Sequence, residues 1–169
     1  MSGVISSKEN EYVSRLKYRG VLQRFNPEDE YINGISKNGG VAVMCSDGDI
    51  DAELFHRRIS HRPHAVKIFG GPLLFSPNFG GYDAGFAEKI IKNIKQGMEV
   101  KQTRTIYFYF HAPCGMAAAH HHDIREILDM AMSVSGIFDR ADFFSKVFAL
   151  FHVKRINKGG ALEQNVYFI

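Results

Sequence analysis

Tryptophan is missing from this chain of 169 residues, and cysteine occurs only twice. Two cysteines in so long a chain make no disulfide framework, so the core must hold the fold and the thiols are read as reduced. No apolar run approaches the roughly 18 residues of a membrane helix. The opening MSGVISSKENEY also lacks the basic-then-apolar layout of a secretory signal. These absences lead to the expectation of a soluble, cytoplasmic protein. Charge of one sign is lacking too: 21 Lys and Arg stand against 18 Asp and Glu, a net +3 with no basic block of the kind that grips nucleic acid. Neither nucleic acid nor a membrane is expected as a partner.

What is present is enough for one core. The chain is 45% hydrophobic, with 14 Phe and 7 Tyr concentrated in runs such as IYFYF, and no repeat or long linker divides it. A single domain over residues 1–169 is expected, with residues 1–38 as a helical N-terminal extension. Apolar runs bounded by turn residues predict strands at Val41 to Met44, Ala65 to Phe69, Thr105 to Phe110 and Lys146 to Val153. Gln164 to Ile169 would return as a hairpin across Asn157 to Gly160.

Phe86, Ala87, Ile90, Ile91 and Ile94 fall at helical spacing after Asp83, a residue suited to capping. A second helix is predicted from Gly115 to a stop at Gly136, and a third over residues 8 to 25. Strands that are apolar throughout and alternate with helices indicate an α/β fold: a mainly parallel central sheet, a C-terminal antiparallel edge strand, and helices on both faces.

In such sheets ligands gather beyond the carboxyl ends of the strands. Cys45-Ser-Asp47-Gly-Asp49 follows the first predicted strand, and His111-Ala-Pro-Cys114-Gly115 follows the third. Two thiols, an imidazole and a carboxylate are the donor types zinc prefers. Either cysteine alone reads as an ordinary buried thiol, and the pair lacks the C-x-x-C spacing of a redox couple. Together with His111 they read as metal ligands.

Those two segments resemble the zinc motifs of the β-class carbonic anhydrases, Cys-x-Asp-x-Arg after one strand and His-x-x-Cys-Gly after another. Cys45, Asp47, His111, Cys114 and Gly115 match, and the likeness extends from about residue 39 to the C-terminus. The resemblance implies a β-carbonic-anhydrase-like fold, a homodimer, Zn2+ held by Cys45, His111 and Cys114, and a zinc-bound hydroxide that attacks carbon dioxide. Asp47 would orient that nucleophile.

Two segments depart from the family pattern. Asp49 stands where an arginine normally clamps the aspartate, so Asp47 is free to swing onto the metal as a fourth ligand. Ile68 and Phe69 replace an arginine and an asparagine, making the wall beside the metal more apolar. Two functions are therefore expected as alternatives. One is hydration of carbon dioxide, or attack on carbonyl sulfide or carbon disulfide. The other is an inactive relative with a closed zinc site.

The remaining features read as structural. His120, His121 and His122, taken as helical, would point about 100° apart and could not converge on one ion. His56, His61 and His64, set among Arg57, Arg58 and Arg62, read as a polar surface loop. Gly70-Gly71-Pro72 and Gly80-Gly81 read as tight turns, and Tyr107 to Phe110 as core.

Overall fold

A computed structural model of the chain describes residues 3–25, 39–46, 50–59, 64–157 and 159–169. The elements, in chain order, begin with α1 (Ser7–Tyr18), β1 (Gln23–Arg24), β2 (Val41–Cys45), α2 (Ile50–Ile59) and β3 (His64–Ile68). A 3-10 helix (Gly71–Phe75), α3 (Ala84–Lys101), β4 (Thr105–Ala112), α4 (Gly115–Ala119), α5 (Ile124–Asp139), β5 (Lys146–Ile156) and β6 (Leu162–Phe168) complete them. The strands form one six-stranded sheet in the order β1-β6-β5-β4-β2-β3. The four strands β3, β2, β4 and β5 run parallel, while β6 and β1 are antiparallel. The α/β class and the mainly parallel sheet agree with the sequence reading.

The central position of β4 follows from its composition. All eight of its residues are buried, as a strand covered on both faces requires. Because side chains alternate, Ile106, Phe108 and Phe110 enter the larger core with Val41, Val43 and Cys45. Helices α3 and α5 cover that side through Ile94, Met98, Ile127, Leu128 and Val134. Tyr107 and Tyr109 face the other way, into a smaller cluster of Phe25, Ala42, Met44, Ala52 and Leu150. Core, not a stacking platform, is what the aromatic run forms.

Several boundaries differ from expectation for local reasons. The helix predicted from residues 8 to 25 ends at Tyr18, and after it Leu22 is buried and Gln23–Arg24 pair with Tyr167 and Phe168. The C-terminal strand is antiparallel as expected, but this two-residue pairing covers its outer side at one end, so β1 is the edge. The helix expected from Gly115 to Gly136 is two helices. His121 takes a left-handed conformation (φ 61°), and Asp123 restarts the chain as N-cap, with Glu126 completing a capping box. Gly136 does not stop α5, because buried Phe138 continues the apolar face and the helix runs to Asp139.

Asp83 caps α3 as read from the sequence, accepting from the Phe86 N–H at 2.6 Å. No helix among the described residues is long and apolar enough to cross a membrane. Residues 26–38, within the expected N-terminal extension, lie outside the described residues.

Candidate metal centre

Strand pairing brings two distant segments together. β2 and β4 are adjacent and parallel, with Met44 opposite Tyr109, so Cys45 at the end of β2 and His111 near the end of β4 share one edge of the sheet. β4 is longer than the sequence suggests, so His111 lies inside the strand rather than after it. Its register partner on β5 is His152. The chain then turns through Pro113, and Cys114 becomes the N-cap residue of α4, its carbonyl accepting from the Ala118 N–H at 3.0 Å. Each ligand position is thus fixed by regular backbone rather than by a free loop.

The sulfurs of Cys45 and Cys114 and an imidazole nitrogen of His111 all lie within 4.8 Å of one another. All three residues are buried, at 3%, 3% and 9% exposure. Neither cysteine forms a disulfide. Zn–S bonds of about 2.3 Å and Zn–N bonds of about 2.0 Å in a tetrahedron place such donors about 3.5 to 3.8 Å apart, so small adjustments suffice for a metal to join them. Two sulfurs and one nitrogen are a set that could hold a metal ion, and it is the only such cluster of three or more among the described residues. Asp47 and Asp49 lie outside the described residues, as do His61 and Arg62.

The walls of this centre come from the end of β3 and the turn after it. Ile68 is the register partner of Cys45, and its carbonyl accepts from the Ser46 N–H at 3.0 Å. Phe69 leaves the sheet and is 65% exposed, so of the two apolar replacements only Ile68 packs against the core. Leu73, Leu74, Phe75, Phe79 and Ala117 join Cys45 and Cys114 in the same apolar cluster.

Sequence reasoning missed a second buried polar group. His56 is not on a surface loop: it lies on α2, is 1% exposed, and its Nδ1 shares a 2.9 Å hydrogen bond with the Tyr109 hydroxyl, two residues before His111. Burial, aided by the charge of Lys101, lowers the His56 pKa to about 4 and keeps the ring neutral. The Tyr109 hydroxyl is pushed well above its usual range, also by burial first and by Tyr107 second. Ala52, Phe55 and His56 stand at i, i+3 and i+4, a helical signal that the surrounding arginines obscure. A recess of about 210 Å³ lined by Leu54, Phe55, Arg58, His152, Gln164 and Val166 lies on this side of the sheet and includes none of the three ligands.

The histidine tract also differs from expectation. The three residues sit at the break between α4 and α5, not within a helix. His122 Nε2 accepts from the Gly80 N–H at 3.3 Å, and the His120 ring packs edge-on to Phe79 with centroids 5.0 Å apart. His120 and His122 fasten the Gly80–Gly81 turn to the segment that leads into α5.

Comparison with known proteins gives no match to any family model and none to the curated proteins.

Proposed function

We propose that the chain binds one zinc ion through Cys45, His111 and Cys114 and acts as a divergent member of the β-class carbonic anhydrases, hydrating carbon dioxide or a related small electrophile. One observation carries the reading. Two buried sulfurs and a buried imidazole meet within 4.8 Å at the carboxyl ends of neighbouring parallel strands, and the segments that carry them resemble that family's motifs. When bound, zinc supplies the Lewis acidity that makes hydroxide available from water near neutral pH.

The chain's own residues do the rest. The end of β2, strand β4 and the N-cap of α4 hold the donors close enough that small adjustments bring them onto a metal. The apolar cluster around Cys45 and Cys114 keeps bulk water out and suits an uncharged substrate such as carbon dioxide, carbonyl sulfide or carbon disulfide. Asp47, at the family's aspartate position, would orient the attacking oxygen by accepting its hydrogen bond.

A second reading is favoured by Asp49, which stands where an arginine would hold Asp47. A neighbouring carboxylate supplies no clamp, and Asp47 as a fourth ligand gives a closed, structural site. Stopped-flow hydration of carbon dioxide at full zinc occupancy separates the two. Turnover in the native chain supports the enzyme; turnover that arises only in Asp49→Arg supports a site closed for want of the arginine. If neither protein hydrates carbon dioxide, carbonyl sulfide or carbon disulfide, the catalytic reading is rejected.

A further inference from the structure

Gly70 and Gly71 both occupy the left-handed region, at φ +80° and +54°, and they differ in what surrounds them. The three atoms nearest a Cβ on Gly70 would be side-chain carbons of Phe79 and Leu74, at 3.4 to 3.6 Å, which is ordinary contact. A Cβ on Gly71 would fall 2.7 Å from the Cys45 nitrogen, 3.0 Å from the Met44 carbonyl carbon and 3.1 Å from the Cys45 Cα. Those atoms are the backbone of β2, which is hydrogen-bonded to strands on both sides, so they cannot rotate away as a side chain would. The turn after β3 therefore sits directly on the peptide that carries Cys45.

The turn is itself firmly held. All five residues of the 3-10 helix are buried, Pro72 fixes its first turn, and the Leu73 N–H donates to the Gly70 carbonyl at 3.1 Å. On the next peptide, the one joining Cys45 to Ser46, the Ser46 N–H donates to the Ile68 carbonyl. Cys45 is thereby braced by the end of β3 and by the turn that follows it.

We propose that Gly71 is a positioning residue for the metal centre: the absence of a side chain there lets the turn press on the Cys45 peptide and set where its sulfur stands relative to His111 and Cys114. The proposal rests on the reading of those three residues as a metal site. Added bulk at Gly71 must displace either β2 or the turn, and a sulfur moved by several tenths of an ångström no longer meets the tight geometry a metal requires.

Gly70 provides a matched control, because alanine there meets the same left-handed conformation without touching Cys45. Full-length native protein, Gly71→Ala and Gly70→Ala are titrated with cobalt(II), following the sulfur-to-cobalt charge-transfer absorption, and with zinc against a chromophoric chelator. Thermal unfolding is recorded for each. The native chain and Gly70→Ala should bind one metal with the same affinity and spectrum, although Gly70→Ala melts lower. Gly71→Ala should melt comparably lower and bind about ten- to a hundredfold more weakly, with an altered band.

Equal affinities and spectra for Gly71→Ala and the native chain would overturn the proposal, as would equal weakening in both variants. A native chain that binds neither cobalt nor zinc would sink the metal-site reading and this proposal with it. Should Gly71→Ala fail to fold, Pro72→Ala carries the test, since it loosens the turn without adding an atom against β2. Weakened binding there supports the brace, and native affinity overturns it.

Discussion

His56 shows how one buried side chain ties stability to pH. Its ring is neutral in the folded protein because burial holds its pKa near 4, against 6.5 for an unburied histidine. Below pH 6.5 the unfolded chain takes up a proton that the folded chain refuses. The contribution is therefore complete above pH 6.5 and is lost as pH falls from 6.5 towards 4. The full shift corresponds to about 3 kcal/mol. Urea unfolding at pH 7 and pH 4.5 should show this loss in the native protein. His56→Asn can still reach the Tyr109 hydroxyl but does not titrate, so its slope over the same window should be shallower. Identical slopes would remove His56 as the cause.

The metal-ligand candidates were more legible than His56, and the reason is chemical. Cys45, His111 and Cys114 each end or follow an apolar run, so their polarity stands out. His56 sits among Arg57, Arg58 and other histidines, where one buried imidazole looks like part of a solvated patch. Its partner, Tyr109, lies in an aromatic run that reads simply as core.

At the scale of elements, the break between α4 and α5 depends on a capping pattern written in the local sequence. Asp123 and Glu126 form the D-x-x-E pattern of a capping box. The Asp123 side chain accepts from the Arg125 and Glu126 N–H groups at 2.8 and 3.1 Å, and Glu126 accepts from the Asp123 N–H at 2.8 Å. Helical periodicity on either side of the break hides it, because Ala117 and Ile124 both face the core. Asp123→Ala should lower stability by about 1 kcal/mol in urea unfolding at neutral pH, leaving the ligand residues untouched. A loss below the error of that measurement would mean that the cap is unimportant to α5.

The four parallel strands were legible because each is a short apolar run closed by glycine, proline or polar residues, whereas β1, two polar residues within an expected helix, was not. Their ends were read less well. Hydrogen bonds to a neighbouring strand, not composition, carry β4 through His111 to Ala112 and β5 through Lys154 to Ile156. Helix α2 was missed for the opposite reason: its exposed face is rich in charge. Glu53 there pairs with Lys67 of β3 and with Arg57, which draws the Glu53 carboxyl below its usual range.

For the whole molecule, the parallel order β3-β2-β4-β5 is what turns two distant motifs into one site. The proposal of a carbonic-anhydrase-like protein also makes the chain a homodimer. Sedimentation velocity at micromolar concentration should then give a species of twice the 19.1 kDa chain mass, and a monomer at all concentrations would reject that assembly.

Elemental analysis decides whether the chain carries a metal at Cys45, His111 and Cys114. Protein purified without added metal, and again after zinc loading and exhaustive dialysis, should contain one zinc per chain. A chain that holds no metal after both treatments would leave Cys45, His111 and Cys114 as ordinary buried side chains.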